Sequence, residues 1–435
     1  MAKRLKKYVK LAFPDILGPL FGHSNGQRIN WNLKIDNDYK VFMWGCNNGH
    51  SDVVKLLLVH PDSKSTNFNA TNHLGRTGFT LACINGHLDV VEILMNSSTI
   101  DLSARDHIGT TAFAYACIKG HTDVVKILLD QSETKGIELN AIHYSTKSFF
   151  AIACENGYGY ISVVNLLLVN VETKGFKLNY DYQDIQYQET SIEEWSDYAN
   201  GTLRKSIANI VQDHALKSGS ALMLACRKGS EYIVKLLLKH SRKGIDLNTR
   251  TEVGWTPFMV ACSNSSLPVI DLLLDGSRTH GIELNAKTNF GWTAFMVACK
   301  VGCSRLVQCL LEKSRTYDIE LNAKDSDGWT AFMRACFEGK IQLVKLMLNH
   351  QDIDFNIRGK FGWTGLMFAC FHGRTDVVKQ LLNHDLDLVL MKKSDIQWYS
   401  EEIQNMIKDK MKERERKKKK KEKKERQKRK KNYSN

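Results

Sequence analysis

The pattern Gly-Trp-Thr-x occurs four times in the C-terminal half of this chain: Gly254-Trp255-Thr256-Pro257, Gly291-Trp292-Thr293-Ala294, Gly328-Trp329-Thr330-Ala331 and Gly362-Trp363-Thr364-Gly365. The tryptophans stand 37, 37 and 34 residues apart. A period in that range marks a chain built by stacking copies of one small unit. Such arrays work mostly through an extended surface, not through a catalytic pocket.

The cysteines keep the same beat. Nine of the eleven fall in one slot: Cys46, Cys83, Cys117, Cys154, Cys226, Cys262, Cys299, Cys336 and Cys370. Equivalent slots in a stack lie a whole copy apart, too far for a disulfide. A small apolar thiol packed between helices accounts for the slot, and so many free thiols suit a reducing compartment. Cys303 and Cys309 fall outside the pattern.

Residues 71–104 show the layout of one copy. A turn centred on Gly75 precedes Thr77, a good N-cap residue. Phe79, Leu81, Ala82 and Cys83 give a short helix its apolar face, and Asn85-Gly86 ends it. Val90, Val91, Ile93 and Leu94 form the stripe of a second helix, followed by an extended Ile100-Asp101-Leu102. Neither helix is long enough to be stable alone in water, so each copy must bury its face on its neighbours.

This layout resembles the ankyrin repeat. Thr256–Cys262 reads TPFMVAC against the family's Thr-Pro-Leu-His and small-residue pair; Gly49-His50, Gly86-His87 and Gly120-His121 fill its Gly-His slot. Asp52-Val53-Val54, Asp89-Val90-Val91, Asp123-Val124-Val125 and Asp376-Val377-Val378 open second helices, and Asn140-Ala141, Asn285-Ala286 and Asn322-Ala323 end copies as the family does. Nine copies are expected, at 36–70, 71–104, 105–141, 142–180, 218–250, 251–286, 287–323, 324–358 and 359–391. The resemblance implies an all-α ankyrin-repeat solenoid of helix-turn-helix units joined by short β-turn loops. The expected organisation is a basic N-terminal capping segment at 1–35 and repeats 1–4 at 36–180. An acidic insertion or degenerate repeat at 181–217, repeats 5–9 at 218–391 and a basic C-terminal helix or tail at 392–435 complete it.

The chain also departs from the family pattern. Most copies are longer than usual, with the excess between the second helix and the next turn. The His of Thr-Pro-Leu-His is Met at Met259, Met296, Met333 and Met367, so its hydrogen bonds give way to an apolar contact.

Charge is unevenly spread. Of a net +14, residues 408–431 carry +12 and residues 1–10 carry +5, leaving a near-neutral body. No apolar run is long enough to span a membrane. The basic N-terminus reads as a capping helix, with a mitochondrial presequence as the alternative. Lys417, Lys418, Lys419, Lys420, Lys421, Lys423 and Lys424 form the core of the tail. It reads as a nuclear localisation signal, a nucleic-acid contact, a membrane-surface contact or a solvated tail.

No phosphate-binding glycine loop, nucleophile elbow, zinc-helix motif or kinase signature is present. No catalytic residue, metal site or cofactor is therefore expected. The repeated histidines read as turn-stabilising, and those after second helices (His60, His240, His350 and His384) as charges matched to helix C-termini.

By the resemblance, the residue between the turn Gly and Thr projects toward a concave face where partners bind. Trp255, Trp292, Trp329 and Trp363 hold that place; Arg76 and Thr110 hold it earlier. Residues just after the slot cysteines share that surface, among them Arg227, Lys300, Phe337 and Phe371. The tryptophans read either as a partner-binding row or as rings that stack copy on copy and stiffen the array. The expected function is a non-enzymatic, monomeric scaffold or adaptor for a protein partner in the cytoplasm or nucleus. The alternatives are a nuclear regulator whose tail touches nucleic acid, and a substrate adaptor of a larger complex such as a ubiquitin ligase.

Overall fold

The computed structural model describes residues 40–59, 66–139, 148–175, 220–360, 362–384, 396 and 399–432. The expected N-terminal cap at 1–35, the acidic segment at 181–217, and His60 lie outside them. Among the described residues there are twenty α-helices and no strand. The chain divides into two compact units, residues 1–249 and 250–435.

Among its described residues the first unit contains five helix pairs. They are Val41–Asn47 with Ser51–Val59, Gly78–Asn85 with Leu88–Met95, Ala112–Lys119 with Thr122–Asp130, Phe149–Asn156 with Ile161–Lys174, and Ala221–Lys228 with Glu231–Lys239. First helices pack on first helices and second on second, in chain order. Phe149–Asn156 packs directly on Ala221–Lys228, and Arg227 makes an ion pair with Glu155 between them.

Among its described residues the second unit contains four pairs. They are Pro257–Asn264 with Leu267–His280, Ala294–Val301 with Ser304–Tyr317, Ala331–Glu338 with Ile341–Leu348, and Gly365–Phe371 with Thr375–Asn383. A long helix, Glu401–Asn432, follows and packs on Thr375–Asn383.

Local chemistry explains why the pairs form. Thr77, Thr111, Thr256, Thr293 and Thr330 each accept a hydrogen bond from the backbone N–H three residues on, so the first helices are capped by side-chain oxygen. Ser148 and Ser220 do the same in their pairs. Gly86, Gly120, Gly229, Gly302 and Gly339 end those helices in the left-handed region. The nine slot cysteines are all free and buried. Burial pushes up the thiols of Cys46, Cys83, Cys117, Cys154, Cys262, Cys299, Cys336 and Cys370, the last to about 12. In the copy at 71–104 the second-helix stripe is Val90, Val91, Leu94 and Met95, with Ile93 only half-buried. Met95 lies one turn beyond Val91, so it continues the buried face from which Ile93 is rotated away.

Copy length follows second-helix length. Leu267–His280 and Ser304–Tyr317 have 14 residues each, whereas Ile341–Leu348 has 8. The longer helices go with the 37-residue spacings and the short one with the 34. Their polar seams hold together: Lys313 donates to Asp271 at 2.6 Å and Tyr317 donates to Asp275.

One position ties four of the pairs to the one before. The residue that opens the second helix reaches back to carbonyls at the end of the preceding first helix, which have no partner within that helix. His87 Nε2 bonds Asn47 O at 2.9 Å, and His121 Nε2 bonds Ile84 O at 2.8 Å. Lys340 Nζ donates to Cys299 O at 3.0 Å, and Arg374 Nε donates to Phe337 O at 3.1 Å. The His87 and His121 rings thus tie adjacent pairs together.

The expectation for His240 needs correction. It caps Glu231–Lys239, but burial and then the neighbouring Lys243 and Lys239 push its pKa below the ordinary value, so its charge is disfavoured at that helix end. His350 instead spans between second helices through Leu311 O at 3.0 Å.

Candidate functional site

The tryptophan row is set by the turns that carry it. In three of the four fingers a buried residue four positions before the tryptophan accepts from its backbone N–H. Thr251 Oγ1 receives Trp255 N at 3.0 Å, Thr288 Oγ1 receives Trp292 N at 3.1 Å, and Asp325 Oδ1 receives Trp329 N at 2.8 Å. Neighbouring fingers are zipped by backbone bonds, from Asn289 N to Val253 O and from Ser326 N to Phe290 O, both 3.0 Å. The turn between them admits only glycine at Gly291. Its φ is +77°, and a Cβ there would come within 2.8 Å of Ser326 N.

All four tryptophans are half-buried. The Arg334 guanidinium lies over two of them, its carbon 4.3 Å from the Trp292 ring centre and 5.4 Å from that of Trp329. The same guanidinium pairs with Asp325, whose side chain is 1% exposed. Trp329 also meets Phe368 at 4.1 Å and Phe337 at 5.2 Å, edge-on in the latter case. Trp363 meets Phe368 at 5.3 Å and Phe371 at 5.1 Å. His372 closes the group against Phe337 at 4.2 Å and Phe371 at 5.3 Å. Residues 329–372 therefore form one aromatic cluster with mostly tilted or edge-to-face geometry, the favoured arrangement for such rings. Phe371 is 52% exposed at its rim, and Phe290 is 55% exposed at a fingertip.

Trp292 and Trp329 are joined across copies through Arg334.

The basic residues of the candidate surface face inward partners. Lys300 donates to Glu338 at 2.6 Å, and Lys340 pairs with the same carboxylate at 2.9 Å. Burial alone would raise the Glu338 pKa, but the hydrogen bonds and charges of Lys300 and Lys340 together hold it below the usual value. Arg227 is likewise engaged by Glu155. Lys417, Lys419 and Lys420 are exposed on the helix Glu401–Asn432, whose backbone also carries Lys418, Lys421, Lys423 and Lys424.

Arg334 also carries a signal in the sequence. The first helices read AFMVAC at 294–299 and AFMRAC at 331–336, so Arg334 is a charge where Val297 stands. The first unit holds the mirror arrangement. There Arg76 occupies the tryptophan slot and Tyr115 the Arg334 place, with the cation 4.8 Å from the ring centre. Tyr115 donates to Asp106 at 2.6 Å, and Arg76 lies 3.6 Å from the same carboxylate. Burial and the hydrogen bond to Asp106 push the Tyr115 pKa up.

Among the described residues no three side chains are grouped to hold a metal, and no helix is long and apolar enough to cross a membrane.

A family model described as ankyrin repeats in three copies matches residues 12–106, 42–143, 101–180, 199–288 and 277–359. A second, described as an ankyrin repeat, matches residues 361–389. No curated protein matches the chain. Among solved structures the chain is similar to the ankyrin repeat domain of Bcl-3, described as a unique member of the IkappaB protein family. It is 22% identical with a TM-score of 0.46, covering 63% of this chain and 98% of that one. With turn, capped first helix and packed second helix recurring through both units, and family models matching most of its length, the chain belongs to the ankyrin repeat family.

Proposed function

We propose that this chain is a non-enzymatic scaffold or adaptor that binds a protein partner on the concave face of its second unit. The observation that carries the reading is the half-exposed aromatic row Trp255, Trp292, Trp329 and Trp363, extended by Phe337 and Phe371. Large rigid aromatic rings are favoured binding hot spots, and a surface already fixed by clamps and ring contacts loses little freedom when a partner docks. The partner chemistry that suits it is a protein segment presenting apolar side chains. The charges of Lys300 and Arg227 are held by their own carboxylates and serve the scaffold in this reading. The buried free thiols suit the reducing cytoplasm or nucleus.

The test is paired affinity capture from cell extract, read by mass spectrometry. One bait is the wild type and the other carries Trp255→Thr with Phe371→Ser. Both positions lie away from the Arg334 stack and the Phe368 contact with Trp329, so helical signal and melting are expected to stay unchanged. The folded variant is expected to lose a specific set of proteins. If it retains every one of them, the aromatic face is structural and the reading fails.

A further inference from the structure

The helix Glu401–Asn432 begins as part of the fold and ends as something else. Ile403 and Ile407 are fully buried where it packs on Thr375–Asn383, Arg414 donates to His384 O at 3.1 Å, and Met411 is half-buried. From residue 412 to 431 the helix contains no apolar residue. Residues 408–431 carry a net +12. At 1.5 Å rise per residue those residues span about 36 Å, one net positive charge for roughly every 3 Å of axis. A nucleic-acid strand spaces its phosphates at about 3.4 Å.

We propose that this helix is a nucleic-acid-binding arm that contacts the phosphate backbone without reading sequence. The inference is independent of the aromatic face. Three observations select this partner among polyanions. The charge spacing matches that of a phosphate strand. The absence of apolar residues removes the buried face by which a surface-lying helix enters a membrane. It also removes the aromatic or aliphatic anchors that would hold an acidic protein. The cations are mainly lysines, which bind phosphate as point charges, unlike the planar fork by which arginine reads guanine edges. Glu413 fits a rigid helix: hydrogen bonds and charge from Lys417 and Lys410 hold its pKa down at about 2.

The test uses the full chain and fluorescence anisotropy at roughly 50 to 200 mM salt, the range over which phosphate contacts show their salt dependence. The probes are a labelled DNA duplex of mixed sequence, a single-stranded RNA of equal length, polyglutamate, and vesicles of phosphatidylcholine with phosphatidylserine. The variant changes the lysines at 417–421, 423 and 424 to Gln, which keeps helix propensity and leaves Ile403 and Ile407 in place. About half the cations of a helix can face one partner, so the wild type is expected to bind nucleic acid with a log–log salt slope of about −5. The variant is expected to lose at least about tenfold in affinity and about half of that slope, with unchanged melting. Preference for duplex or single strand then names the source of the phosphates. Absence of binding to both nucleic acids, equal binding by the variant, or tighter binding to vesicles or polyglutamate would each overturn the proposal.

Discussion

At the residue scale, the second unit turns on one carboxylate. Asp325 clamps the Trp329 finger through Oδ1, which accepts from Asp327 N at 3.0 Å and Trp329 N at 2.8 Å, while its other oxygen meets Arg334. Removing Arg334 leaves that buried charge unpaired and takes the cation away from two rings. Arg334→Met is expected to destabilise the second unit by about 2–4 kcal/mol, below the full range for a buried pair because Arg334 retains some exposure. Adding Asp325→Asn removes the orphaned charge and keeps the acceptor for Trp329 N, so the double variant is expected to be more stable than Arg334→Met alone. Urea unfolding followed by tryptophan emission measures the cycle; simple additivity of the two losses would contradict the coupling. The slot thiols give a second check at this scale. Nine are buried, whereas Cys303 and Cys309 are half-buried. A thiol reagent at neutral pH is expected to titrate no more than these two until denaturant is added, because only accessible thiolate reacts. Rapid modification of a third thiol in the native protein would mean that the packing between first helices opens.

At the element scale, the copies make each other's chemistry legible. Seven Thr or Ser caps, the slot cysteines and the Val-rich second helices could be read in the sequence because each obeys a local rule repeated many times. What could not be read depends on contacts about 37 residues apart. The Arg334 stack lies between neighbouring fingers, and the His87 and Lys340 bonds reach the preceding pair. The methionine replacement was only half legible. Met259, Met296, Met333 and Met367 are buried as an apolar contact requires, but Met333 also accepts from Thr330 N through sulfur at 3.5 Å, a remnant of the lost polar link. The same comparison exposes a weak copy. Five first helices end on a left-handed glycine, whereas Pro257–Asn264 ends on Ser265 at φ 55°, whose hydroxyl is buried without a hydrogen-bond partner. Ser265→Gly removes the Cβ strain and the unsatisfied group against a modest gain in unfolded-chain freedom, so a net stabilisation of about 1 kcal/mol is expected. A fall in the melting temperature of this variant would show that the serine is held by something beyond its backbone.

At the scale of the whole molecule, an array of near-identical units must finish each end, since a terminal repeat has one apolar side with no copy to cover it. At the C-terminal end that role falls to the start of Glu401–Asn432, where Ile403 and Ile407 are buried on the last pair and Lys379 lies 3.6 Å from Glu402. One helix thus joins two opposite chemistries, an apolar seal and a charged arm, and they should separate under mutation. Ile403→Lys with Ile407→Lys is expected to cost about 3–5 kcal/mol of burial. Because repeat stability is a sum of units and nearest-neighbour interfaces, that loss should be local. Amide exchange is expected to speed by about a hundredfold or more in Gly365–Phe371 and Thr375–Asn383 while Ala294–Val301 and Ser304–Tyr317 remain protected. The lysine-to-glutamine variant of the arm is expected to leave all of these amides unchanged. Uniform loss of protection through the second unit would instead mean that residues 250–384 unfold as one cooperative block and that the helix supports more than its neighbour.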